Sequence, residues 1–134
     1  MTSQVTYHGN LRTEAVHLKS GQTIINDAPT DNNGKGEAFS PTDMVATALA
    51  TCMITIMGIK AASLKIDIEG TKADITKIMA SNPRRIEKVE IALHMPSGDY
   101  TEKDKKILEA AARACPVAQS VHPDLIQSVS FKWL

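Results

Sequence analysis

The stretch from Ser40 to about Ala62, SPTDMVATALATCMITIMGIKAA, constrains the fold most. Ser40 suits a helix N-cap, Pro41 suits the first helical position, and Asp43 can return the second bond of a capping box. The spacing predicts a helix in which Val45, Leu49, Cys52, Ile56 and Ile59 recur every three or four residues. Met44, Met53 and Met57 widen that apolar arc, and Thr47, Thr51, Thr55 and Gly58 add a stripe of small residues. The most apolar part, Met44 to Ile59, is shorter than a membrane span and carries three threonines, so we read it as a buried helix. A helix apolar on most sides has to lie at the centre of a fold with neighbours on several faces.

The flanking segments supply those neighbours. Before the helix, Gln4–His8, Leu11–Leu18 and Gln22–Asn26 have strand character, separated by turn signals at Gly9-Asn10 and Gly21, and form an expected antiparallel meander. Residues 27 to 37, DAPTDNNGKGE, form the clearest loop. After the helix, strand-like runs span Leu64–Ile78, interrupted near Gly70, and Arg84–Met95, with Asn82-Pro83 as the turn. A second helix opens at Thr101, with Asp104 three residues on, and carries Ile107, Leu108, Ala111, Ala112 and Cys115 on one stripe until Pro116 limits it. Val129–Leu134 forms a last strand. The expected class is α+β, one domain over residues 1–134, with antiparallel sheets packed around a long central helix and a second helix. At 134 residues such a chain can bury a core without staples, and with aromatics at only 4% that core must be aliphatic.

Fifteen basic side chains balance fifteen acidic ones, so neither nucleic acid nor an anionic membrane surface is an expected partner. The N-terminal Met1-Thr2-Ser3-Gln4 has no basic or apolar signal region, and two cysteines in such a chain fit a reducing, cytoplasmic setting with free thiols. Four scattered histidines and the lack of Cys-x-x-Cys give no metal motif, and no cofactor is expected.

Cys52 and Cys115 are the residues most able to do chemistry. One reading makes both small hydrophobes in the core. The other makes them reactive, which needs a thiolate and therefore a nearby cation. The first helix's dipole cannot serve Cys52, which lies about 16 Å of helical rise beyond Pro41. An arginine suits the task because it keeps its charge in an apolar pocket. The chain offers Arg12, Arg84, Arg85 and Arg113.

Tyr7-x-Gly9-x-x-Arg12, the Gly/Asn loop, Ser40-Pro41 leading into a helix with Cys52, and a distant Cys115-Pro116-Val117 together resemble the OsmC-like family, which includes the organic hydroperoxide resistance proteins. The resemblance runs along nearly the whole chain. It implies an intertwined α+β homodimer with active sites at the subunit interface and no metal or organic cofactor. It also implies that Cys52 attacks an organic hydroperoxide, that Cys115 resolves the sulfenic acid to a disulfide, that an external dithiol reduces that disulfide, and that Arg12 stabilises the thiolate. The peroxidase branches carry Asn-Pro-Glu where this chain has Ser40-Pro41-Thr42, and that glutamate holds the arginine. Asp43 and Glu37 are the acids nearest that place in this sequence. The departure leaves open a different class of function, an OsmC-like dimer with non-peroxidatic thiols that binds a small apolar ligand or a partner in stress response.

Overall fold

A computed structural model describes all 134 residues. The chain resolves into two compact units, Met1–Val45 and Ala46–Leu134.

The first unit is a three-stranded antiparallel meander, β1 (Ser3–Gly9), β2 (Arg12–His17) and β3 (Thr23–Asp27), in that spatial order. The β1–β2 turn passes through Gly9, Asn10 and Leu11, all at positive φ, and the Leu11 N–H donates to the Tyr7 hydroxyl at 3.3 Å. After β3 the chain makes one 3-10 turn at Thr30–Asn32 and reaches the start of the long helix, α1 (Pro41–Ser63). The N-terminal capping box forms as the sequence predicts: Ser40 N–H donates to Asp43 Oδ2 and Asp43 N–H to Ser40 Oγ, each at 3.0 Å. In this unit Asp27 and Ser40 are the buried residues, and both are polar. Val5, Tyr7, Ile24, Ile25 and Phe39 are all exposed. A sheet with no apolar face covered is poorly stabilised by itself.

Gly34 folds the 27–37 loop back on itself. Its N–H donates to Pro29 O at 2.9 Å, and a Cβ there would stand 1.7 Å from the Ala28 carbonyl oxygen. No L side chain fits without moving the backbone. Gly34→Ala is therefore expected to destabilise the protein by about 1–3 kcal/mol, the usual cost of forced overpacking, seen as a lowered thermal midpoint. An unchanged midpoint would show that the loop yields freely.

The second unit packs α1 from Ala46 onward, α2 (Glu102–Arg113) and α3 (Pro116–Ser120) with a sheet of β4 (Lys72–Ala80), β5 (Arg85–His94) and β6 (Ile126–Lys132). Its core joins Leu49, Met53 and Met57 of α1 to Val89, Ile91 and Leu93 of β5 and to Leu108 and Ala112 of α2. By length and mean hydropathy α1 could cross a membrane, yet one side of it is buried in this core. The architecture is α+β, as expected, with several corrections of detail.

The buried side of α1 is Ala46, Leu49, Ala50, Met53, Met57 and Ala61, while Val45 and Ile59 of the expected stripe are exposed. A helix apolar nearly all round does not choose its buried face by periodicity; its neighbours do. The strand expected from Leu64 begins only at Lys72. Ile66 N–H and Leu64 N–H bond back to carbonyls of α1 while Lys65 takes a left-handed conformation, so this segment caps the helix instead of joining a ladder. The sheets are not wholly antiparallel either: β6 pairs with β5 in parallel, Ile91 opposite Val129. The connection between them carries α2 and α3, which is what a parallel crossover requires. The second helix stops at Arg113, and α3, a short helix the pattern did not show, begins at Pro116.

Candidate functional site

Cys52 lies in the middle of α1, half-buried at the margin of the core, beside the fully buried Met53. Cys115 is fully buried. It sits outside α2, with φ −65° and ψ 151°, as the N-cap of α3. Pro116 explains this: it excludes helical geometry at the residue before it and is itself suited to the first helical position. Cys115 Sγ accepts the Ala118 N–H at 3.4 Å. Both cysteines are free thiols, and they lie close enough for Cys52 to act on the Cys115 thiol. The two stripe-borne sulfurs, far apart in sequence, thus meet in the second unit.

Burial pushes the Cys115 thiol above its ordinary pKa, and the neighbouring Cys52 adds to the rise. The N–H groups of Ala118 and Val117 oppose it without overcoming burial. Cys115 is therefore held as a thiol near neutral pH.

The first unit builds a second polar cluster around Arg12. Arg12 opens β2 and Asp27 closes β3, and the two are paired directly across the strands. Arg12 Nε donates to Asp27 Oδ1 at 2.7 Å and Nη2 to Oδ2 at 2.8 Å, a bidentate ion pair whose carboxylate is only 2% exposed. Nη2 also reaches Glu37 Oε2 at 3.4 Å, and the Glu37 N–H donates to Asp27 Oδ2 at 3.1 Å. The hydrogen bonds from Arg12 hold the Asp27 carboxyl below the usual carboxylate range, against the burial that would raise it, and Asp27 in turn raises the pKa of the guanidinium.

The structure places the expected acids differently from one another. Glu37 contacts Arg12 through an exposed carboxylate, whereas Asp43 bonds to Ser40 at the start of α1. Asp27, expected from the sequence at the start of a loop, is the principal partner of Arg12. Arg85 donates to Pro83 O at 2.9 Å, and Arg113 donates to Val129 O at 3.3 Å and lies over the Phe131 ring.

The model of the OsmC-like protein family matches residues 34–127, the greater part of the chain. The chain belongs to the OsmC-like family. A solved relative from Psychrobacter arcticus 273-4, described as an osmotic stress induced and detoxification response protein, is 55% identical; the match covers 98% of this chain and 95% of that one, with a TM-score of 0.94. Two more distant structures share the OsmC-like fold. The organic hydroperoxide resistance protein OsmC of Legionella pneumophila is 18% identical, with a TM-score of 0.77 over 98% of this chain and 97% of that one. An organic hydroperoxide resistance protein of Elizabethkingia anophelis, with thiocyanate bound, is also 18% identical, with a TM-score of 0.71 over 100% and 97%. No curated protein sequence matches the chain.

Proposed function

We propose that this OsmC-like protein is a cytoplasmic thiol peroxidase that reduces organic hydroperoxides through a two-cysteine cycle. The observation that carries the reading is the closeness of a half-buried cysteine, Cys52, to a fully buried one, Cys115. The Cys52 thiolate attacks the terminal oxygen of the hydroperoxide, the O–O bond breaks, and the departing alkoxide takes a proton to leave as alcohol. Cys115 then attacks the Cys52 sulfenic acid, forming the disulfide and releasing water. An external dithiol restores both thiols. Arg12 is the cation we assign to the Cys52 thiolate, on the resemblance of Tyr7-x-Gly9-x-x-Arg12 to the family pattern; its guanidinium is held by Asp27 and, more weakly, by Glu37.

Reduced protein mixed with cumene or tert-butyl hydroperoxide should consume one equivalent per chain and end as a Cys52–Cys115 disulfide. If both thiols still react as free after the hydroperoxide is added, the proposal fails and the ligand-binding reading takes its place.

The working unit is a homodimer. The first unit exposes Val5, Tyr7, Ile24, Ile25 and Phe39, and α1 exposes Val45 and Ile59. Uncovered apolar surface in each unit, with no apolar core in the first, calls for a second copy. Sedimentation velocity at micromolar concentration should give a single species of about twice the 14.5 kDa chain mass. A stable monomer under these conditions would remove the dimer from the proposal.

A further inference from the structure

The thiol pair of the proposed cycle has an asymmetry that bears on its reduction. Cys52 is half-buried on α1, while Cys115 is wholly enclosed, in a core cluster with Leu108, Ala112 and Ala118. We propose that the reducing thiolate attacks the Cys52 sulfur of the disulfide and that Cys115 is the leaving group, so that the mixed disulfide forms on Cys52.

Thiol–disulfide exchange proceeds in line: the incoming sulfur approaches from behind the attacked sulfur, opposite the bond that breaks. Approach to Cys52 comes from its exposed side and drives Cys115 back toward the interior it already occupies. Approach to Cys115 would have to pass through the packed core, where no reductant fits without opening the unit.

A thiolate of the external dithiol bonds to Cys52 Sγ, the Cys52–Cys115 bond breaks, and Cys115 departs with the electron pair. The departing sulfur returns to the position where it accepts the Ala118 N–H. The second thiol of the reductant, as thiolate, then attacks its own mixed disulfide and releases Cys52, so that the dithiol is oxidised by two electrons and the protein reduced by two.

Leaving-group strength alone would argue the other way, because a thiol with a raised pKa leaves more slowly. Access decides the matter, since a sulfur that cannot be reached cannot be attacked at any basicity. The raised pKa then has a second effect. Cys115 takes up a proton once released and ceases to be a nucleophile. Reclosure is slowed, and the second thiol of the reductant has time to finish the exchange.

The test uses the full chain. Diamide oxidises the reduced protein to the disulfide without hydroperoxide. After removal of diamide, 2-mercaptoethanesulfonate is added, and samples are quenched over time with acid and N-ethylmaleimide. Mass spectrometry of the two cysteine peptides is read at the earliest time that shows any adduct. The expected result is sulfonate adduct on Cys52 and maleimide on Cys115, at least tenfold over the reverse. Equal adducts, or a majority on Cys115, would overturn the inference while leaving the peroxidase intact if the same preparation consumes hydroperoxide. Failure of diamide to form the intramolecular disulfide would overturn the thiol pair itself, and the cycle with it.

Discussion

Cys52→Ser is expected to reduce hydroperoxide consumption to the uncatalysed rate, whereas Cys115→Ser allows one turnover and then stops. The two sulfurs differ in what they can reach. Cys52 is half-buried, while Cys115 is enclosed and held as a thiol by burial. A thiol that stays protonated is a poor competitor for hydroperoxide; beside a sulfenic acid it gives up its proton to the departing hydroxide as the S–S bond forms, and water leaves. In Cys115→Ser the Cys52 sulfenic acid should accumulate, and dimedone should label it stoichiometrically after one equivalent of tert-butyl hydroperoxide. The serine hydroxyl can still accept the Ala118 N–H, so the start of α3 should survive the change. Continued cycling of Cys115→Ser with a dithiol would remove Cys115 from the mechanism. Activity retained in Cys52→Ser would end the peroxidase reading altogether.

The closeness of the two thiols was permitted by the sequence, which puts both cysteines on apolar stripes that can meet in one core, but nothing in the sequence required it. The conformation of Cys115 was half legible. Pro116 marked the end of α2, and the same proline starts α3, which turns the preceding sulfur into a helix cap. Such short helices carry too few residues for periodicity to reveal them. The buried face of α1 was not legible, because Val45 and Ile59 are as apolar as the Leu49 and Met53 that lie inside. Asp27 was readable in principle. In the register that forms around the Gly21 turn Arg12 stands opposite Asp27, but a sequence rich in Asp, Pro and Asn reads as loop from Asp27 onward. The parallel placement of β6 depends on where a long crossover returns, which no local pattern records.

With Arg12 in the role proposed for it, Asp27→Asn should lower kcat/KM for hydroperoxide by about 10- to 100-fold, since misorienting a group that serves the reaction costs on that scale, whereas Glu37→Gln should change it less than about threefold. The difference follows from geometry. Asp27 grips Arg12 through two short bonds from a carboxylate shielded from water, and Glu37 offers one 3.4 Å contact from an exposed side chain. Arg12→Lys should fall with Asp27→Asn, because an ammonium cannot reproduce the planar fork. A merely structural defect would lower stability without touching the thiol. The discriminating readout is therefore the rate at which iodoacetamide alkylates Cys52 at pH 7, which should fall in Asp27→Asn and hold in Glu37→Gln. Stability follows a separate course with pH. Because the folded protein holds the Asp27 carboxyl below its usual range, its contribution is present above the unfolded value of about 3.9 and is lost as pH falls through the folded one. The gap in thermal midpoint between the wild type and Asp27→Asn should be widest near neutral pH and close in acid. A gap that stays constant down to pH 3 would mean that Asp27 acts through shape, with its charge irrelevant to holding Arg12.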